Sequence, residues 1–207
     1  MTHEEFPNMT FRRTNITNTP FDNPHIRLIM DRVINEVNYS RSGRVLMCDP
    51  FARESFTNYL QGCITNDLNP KFNTNYNLEF KDFALKMKEL NHQFDLIFFD
   101  PPYSLRQLKE HYDGIGKDLK LWQTHNMWGE GKDALAQLVK PGGYVVSFGW
   151  TTSGFGRKRG FTKKAVHVFE QVAREDRYSL LVTVEQKTQM TLKAFNLKSY
   201  DRVNEEE

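Results

Sequence analysis

The 207 residues amount to one domain at roughly 100–200 residues per domain, and 39% hydrophobic residues with 16 Phe promise a bulky core. Lys and Arg total 28 against 26 Asp and Glu, a net charge of +2. That balance excludes a histone-like or polybasic binder and confines any nucleic-acid surface to a local patch.

No apolar run reaches the roughly 18 residues of a membrane-spanning helix, and residues 1–13 lack the apolar stretch of a secretory signal. With only Cys48 and Cys63 there is no disulfide framework. A cytoplasmic location without a membrane partner is expected. His3, His25, His92, His111, His125 and His167 show no ligand spacing with the cysteines, so no metal is expected.

The head, 10–23, is rich in Thr and Asn and reads as extended or looped; 1–24 forms an amino-terminal arm. Asn23-Pro24 then starts a helix carrying Ile26, Leu28, Ile29, Val33 and Val37 at near-helical spacing. Short apolar runs follow at 44–48, 63–68, 77–80, 94–99 and 144–149, alternating with helical stretches at 54–60, 83–90 and 134–139. The run 94–99 is almost wholly apolar, as a central parallel strand covered on both faces should be. Runs 165–172 and 178–184 are joined by only 173–177, which suits a hairpin and one antiparallel strand. The pattern predicts an α/β fold: a doubly wound, mostly parallel seven-stranded sheet with an antiparallel C-terminal hairpin strand. A single domain spans 1–187, and the polar tail 188–207 is expected to be flexible.

Ligands in such sheets bind beyond the carboxyl ends of the strands. Four consecutive predicted strands are followed there by an aspartate: Asp49, Asp67, Asp82 and Asp100. Any one of them alone is an ordinary cap or loop residue; the recurrence is what points to a site.

The segment Phe98-Phe99-Asp100-Pro101-Pro102-Tyr103 resembles the motif IV signature of S-adenosylmethionine-dependent amino methyltransferases, the DNA adenine-N6 and cytosine-N4 group. The first strand and its loop resemble motif I of that family, whose usual form is D-P-F-A-G-S-G-T. The resemblance spans about Ile26 to Lys187. Phe148-Gly149-Trp150 and the run Gly154 to Phe161 resemble the compact, phage-type branch without a separate target-recognition domain. A Rossmann-like class I methyltransferase fold is what the resemblance implies.

The residues suit the chemistry in their own right. An exocyclic amine conjugated to a heteroaromatic ring is a poor nucleophile, and it must be held in line with the methyl donor. Asp100 can accept one of its N–H bonds and the Pro101 carbonyl the other. Pro101 and Pro102 stiffen the turn, and Tyr103 offers a ring for an extruded base. For the cofactor, the resemblance implies that Asp49, Pro50, Phe51 and Ala52 lie against the methionine part. It further implies that Asp67 takes the ribose hydroxyls, that Asp82 and Phe83 lie near the adenine, and that Phe51 or Leu68 packs against the ring. Arg53 and Ser55 stand where the family has two glycines, a departure that crowds the loop.

Residues 151–174 carry a net charge of +5 through Arg157, Lys158, Arg159, Lys163, Lys164 and Arg174 against Glu170. They are expected on the rim that holds Asp100, as a phosphate-binding patch. The segment 104–133 is too long for a plain connection and reads as a substrate-side insert, with Trp122 or Trp128 available for stacking. The leading expectation is methyl transfer to adenine N6 in DNA. An RNA base methyltransferase and a nucleic-acid-binding pseudoenzyme on the same scaffold are the alternatives.

Overall fold

The computed structural model describes residues 8–15, 20–53, 62–120, 127–172 and 178–188. Helix α1 (Pro24–Ser40) starts as expected: the Asn23 side chain accepts from the backbone N–H groups of His25 and Ile26, and Pro24 sits where no donor is needed. Its buried stripe, Ile26, Met30, Val33 and Val37, packs against Leu96, Phe98, Tyr144 and Val146 on one face of the sheet.

Helices α2 (Phe80–Glu89) and α4 (Gly129–Leu138) cover the other face, where Phe83, Met87 and Leu135 meet Cys48, Ile97, Phe99 and Val145. Their close approach requires Gly131, since a Cβ there would lie 2.3 Å from the Phe80 ring. Helix α3 (Leu105–Gly114) follows β4. The fold is therefore doubly wound, with helices on both faces.

The seven strands are β1 (Asn8–Thr14), β2 (Met47–Asp49), β3 (Ile64–Thr65), β4 (Phe94–Phe99), β5 (Val139–Gly149), β6 (Phe161–Gln171) and β7 (Leu180–Lys187), in the order β1-β6-β7-β5-β4-β2-β3. Only β7 is antiparallel, to both β5 and β6. All six residues of β4 are buried.

The membership of the sheet differs from expectation at two strands. The run 77–80 is not a strand: its pairing shrinks to one parallel bridge between Asn66 and Tyr76, and Phe80 opens α2. The spacing Phe80, Phe83, Ala84, Met87 is helical, and it overrides the strand propensity of the short run. The seventh strand comes instead from the head, where β1 pairs in parallel with β6. The segment 104–133 contains α3 and the start of α4, both between β4 and β5 in chain order.

A third correction concerns the basic cluster. Because β5 and β6 both run antiparallel to β7, β6 begins at the end of the sheet where β5 begins. Phe161 pairs with Lys187 and Tyr144 with Gln186, whereas Gly149 pairs with Leu181. Residues 150–160 therefore run back down the α4 face, and the 3-10 turn Arg157–Arg159 lies at the end of the sheet opposite Asp100. Lys163, paired with Glu185, and Lys164 lie toward that end too.

Arg159 is bound into the fold by Asp133 Oδ1 (2.9 Å) and the carbonyls of Phe155 (3.0 Å) and Gly129 (3.3 Å). Glu185 accepts the N–H groups of Phe155 (2.6 Å) and Gly156 (3.0 Å), and Lys132 Nζ donates to the Gly154 carbonyl (2.9 Å). Gly154 is needed there, because a Cβ would meet the Glu185 carboxylate at 2.0 Å. The predicted helix 54–60, Ser55, Trp122, the joint 173–177 with Arg174, and the tail beyond 188 lie outside the described residues.

Candidate active site

Strand order reverses between β2 and β4: the chain steps outward from β2 to β3, then returns to β4 on the other side of β2. Ligands in open α/β sheets bind at such a reversal. A cleft opens at this point, lined by residues from the loops that follow β2, β3 and β4 and from α3.

Strand β2 delivers Asp49, which is fully buried. Its Oδ1 accepts the Phe51 N–H at 2.9 Å, while its Oδ2 is buried without a hydrogen-bond partner. Burial pushes the carboxyl well above the usual carboxylate range; the Phe51 N–H and Arg53 pull it back, and Asp100 and Asp67 add repulsion.

Just after β3, the Asn66 side chain holds the loops together. Its Nδ2 donates to the carbonyls of Pro50 and Leu78, both at 3.0 Å, and its Oδ1 accepts the Leu78 N–H at 3.0 Å. Asp67 follows, with Oδ1 accepting from Asn69 N–H (2.8 Å) and Oδ2 from Arg53 N–H (3.3 Å). Burial raises its pKa against those two hydrogen bonds.

Arg53 itself takes the left-handed conformation, φ +50°, that a glycine would adopt freely. It lines the cleft, and its positive charge favours the ionised forms of Asp49, Asp67 and Asp100.

Asp100 directly follows β4 and is 2% exposed. Burial raises its pKa, and the Arg53 charge and a hydrogen bond from Tyr103 oppose the rise. The Tyr103 hydroxyl donates to Asp100 Oδ1. Burial and Asp100 push the pKa of that phenol well up. The loop is tied to the first turn of α3, since Tyr103 N–H donates to Gln107 Oε1 (2.8 Å) and Gln107 N–H to Ser104 Oγ (3.2 Å).

One wall is aromatic. Phe51 lies 5.1 Å from Phe80 and 5.2 Å from Trp128 between ring centroids. The lining also takes in Leu108, His111 and Tyr112 of α3. Burial and Arg53 lower the His111 pKa. Tyr112 Oη donates to Glu79 Oε2 at 2.6 Å.

Of the residues singled out from sequence, Pro50, Phe51, Asp67, Leu68, Asp100, Pro102 and Trp128 line one cleft. Asp49, Ala52 and Pro101 are buried. Asp82 and Phe83 are not at the site: Asp82 is exposed in the first turn of α2, and Phe83 is fully buried in the core. Glu79, three residues earlier, lines the cleft in their stead. Sequence reasoning also missed Asn66, Phe80, His111 and Tyr112; the helical spacing from Phe80 was the available signal for where α2 starts. Among the described residues no group of three or more His, Cys, Asp or Glu is placed to hold a metal ion.

No protein-family model matches this chain, and no curated protein matches it. Solved structures do resemble it. TrmN from Thermus thermophilus is similar at 14% identity and TM-score 0.47 over 77% of this chain and 48% of that one. The N-methyltransferase NodS from Bradyrhizobium japonicum is similar at 12% identity and TM-score 0.45, over 82% of this chain and 99% of that one. An rRNA methylase from Streptococcus thermophilus is similar at 11% identity and TM-score 0.41, over 75% and 93%. None of these identifies a family. The chain spans about half the length of TrmN.

Proposed function

We propose that this protein transfers a methyl group from S-adenosylmethionine to an exocyclic amino group of a nucleic-acid base, adenine N6 in DNA first. The observation that carries the proposal is the buried Asp100 carboxylate in the lining of a cleft at the ends of β2, β3 and β4, with the buried Asp49 carboxyl, one oxygen unpartnered, at the end of β2.

The residues present fit the cofactor. Asp49 Oδ2 is a buried acceptor in want of a donor, as an ammonium group would supply. Asp67 lines the cleft as a carboxylate that would take ribose hydroxyls, and Phe51, Phe80 and Trp128 offer an aromatic wall to a purine. Arg53 provides a countercharge for an α-carboxylate. Bound there, S-adenosylmethionine would supply an electrophilic methyl group on a sulfonium.

Asp100 and the Pro101 carbonyl then accept the two N–H bonds of the base amine and fix the nitrogen lone pair toward the cleft. Asp100 Oδ1 already accepts from Tyr103, but a carboxylate has about four lone-pair sites, so capacity for the amine remains. Methylation would leave the amine nitrogen cationic, with a proton to lose. Asp100, whose burial favours the protonated form, is placed to receive the released proton. Tyr103, held by Gln107, gives the base a ring to lie against.

Expression in bacteria lacking their own DNA methylases, followed by quantification of modified nucleosides in digested DNA and RNA, tests the proposal. N6-methyladenine in DNA, lost in Asp100→Ala, is the expected result. A signal confined to RNA moves the substrate to RNA, and silence in both pools with cofactor still bound points to a non-catalytic scaffold.

A further inference from the structure

The register of the sheet places a second set of groups on the rim that holds Asp100. Gly149 pairs with Leu181 and Phe169 with Leu180, so the end of β5, the start of β7 and the end of β6 lie level. β1 extends that edge by one strand, with Arg12 opposite Phe169 and Arg13 opposite Glu170. Trp150 follows β5 directly and Tyr178 precedes β7. Their rings stack at 4.4 Å between centroids and 13° between planes, and the Trp150 ring lies 6.0 Å from that of Tyr103.

Three rings thus lead away from the Asp100 loop and end in solvent. Tyr178 is 57% exposed although one neighbour already stacks on it. A stacked aromatic pair that ends exposed, beside a cleft, is a platform for another planar ring. Farther along the same rim Arg12 is exposed, and Arg13 pairs at 2.7 Å with Glu170 across a largely solvated surface, so the three carry one net positive charge. Three interstrand steps separate β5 from β1, about 14 Å.

We propose that this rim is a track for a single-stranded or locally unpaired polynucleotide: the base beside the reacting one stacks on Trp150 and Tyr178, and the backbone phosphates lie against Arg12 and Arg13. The track depends on the methyl-transfer reading above and deepens it, since it names the form of substrate. An unstacked neighbour is available only where the strand is open, and every base has a face to offer, so the platform is tolerant of sequence. The phosphate contacts make affinity salt-dependent.

The test uses the full chain, with labelled mixed-sequence oligonucleotides as single-stranded DNA, single-stranded RNA and duplex DNA, read by fluorescence anisotropy and by methyl transfer. Tyr178→Ala, at an exposed position, weakens single-strand binding by about tenfold and raises KM by a similar factor with kcat little changed. Trp150→Phe keeps a ring and retains most of the affinity. Arg12→Gln with Arg13→Gln lowers the salt slope by about one to two units.

Unchanged affinity and KM in Tyr178→Ala, on a substrate that the wild-type protein methylates, overturns the track and leaves the methyl-transfer reading intact. So does methylation restricted to uninterrupted duplex. A salt slope that falls in Arg157→Gln with Lys158→Gln but not in the Arg12 and Arg13 pair moves the contact to the far end of the sheet and likewise overturns it. Wild-type protein that neither binds nor methylates any of the three removes both proposals.

Discussion

Asp49 carries one carboxylate oxygen that is buried and unpartnered, which burdens the free protein and leaves a strong acceptor for a ligand. Its pKa is raised, so the folded protein holds this proton more tightly than the unfolded chain does. Stability therefore falls as pH climbs from the ordinary value of 3.8 through the raised one. Asp49→Asn removes the charge but keeps an acceptor for the Phe51 N–H. Differential scanning calorimetry is expected to show a gain of on the order of 1 kcal/mol at neutral pH and a flatter acid profile. Titration calorimetry is expected to show at least tenfold weaker cofactor binding. Arg53 makes the converse point. Its φ of +50° costs about 1–2 kcal/mol for a residue with a Cβ, yet its charge holds Asp100 toward ionisation. In the proposed methyl transfer that carboxylate is ionised when it accepts the amine. In both Arg53→Ala and Arg53→Gly the acid limb of the pH–rate profile should move to higher pH, while only the glycine variant gains stability. A limb that stays in place would separate Arg53 from Asp100.

At the scale of elements, the cleft is assembled by hydrogen bonds that take the place of a strand. Where the sheet would continue beyond β3, the Asn66 side chain links the Pro50 carbonyl to both backbone groups of Leu78. Asn75 does the same for Thr65, accepting its N–H at 2.8 Å. Asn66→Ala strands buried backbone groups on two loops at once. The expected cost is about 2–3 kcal/mol by urea unfolding, with a loss of cofactor affinity that exceeds what Asn75→Ala produces. Asp49, Asp67 and Asp100 were legible in the sequence because each stands at or just beyond the end of an apolar run. Glu79 was not legible, because 77–80 satisfies strand and helix patterns equally over four residues. The decision fell to Phe80, Phe83 and Met87, which bury on the α4 side.

Over the whole molecule, the strap from β5 to β6 is pinned by buried cations. Lys132 donates to the Gly154 carbonyl, and Lys187 donates to the carbonyls of Ala136 (2.7 Å) and Arg159 (3.0 Å). Burial lowers both lysines from 10.5 to about 8. Above that value the folded protein releases protons that the unfolded chain still holds, so stability rises with pH from about 8. The rise is bounded near pH 9, where Cys48 and Cys63, raised well above 9.0 by burial, begin to pull the other way. Urea titrations at pH 7, 8 and 9 should show this increase. In Lys187→Arg it should shrink, because a guanidinium keeps donors yet cannot release a proton in that range.

The sequence by itself determined the α/β class, the capped start of α1, the buried central strand at 94–99, the antiparallel pairing near the carboxyl terminus and the acids at the ends of β2, β3 and β4. Each is written locally, in periodicity, capping chemistry and the residue that follows an apolar run. Tertiary structure alone decided the strand order, the recruitment of the head as β1, the replacement of Asp82 by Glu79 and the end of the sheet to which the basic cluster belongs. Those depend on pairing between segments far apart in the chain. Whether β6 starts at the near or the far end follows from its partner β7, and no property of Arg157, Lys158 or Arg159 records it.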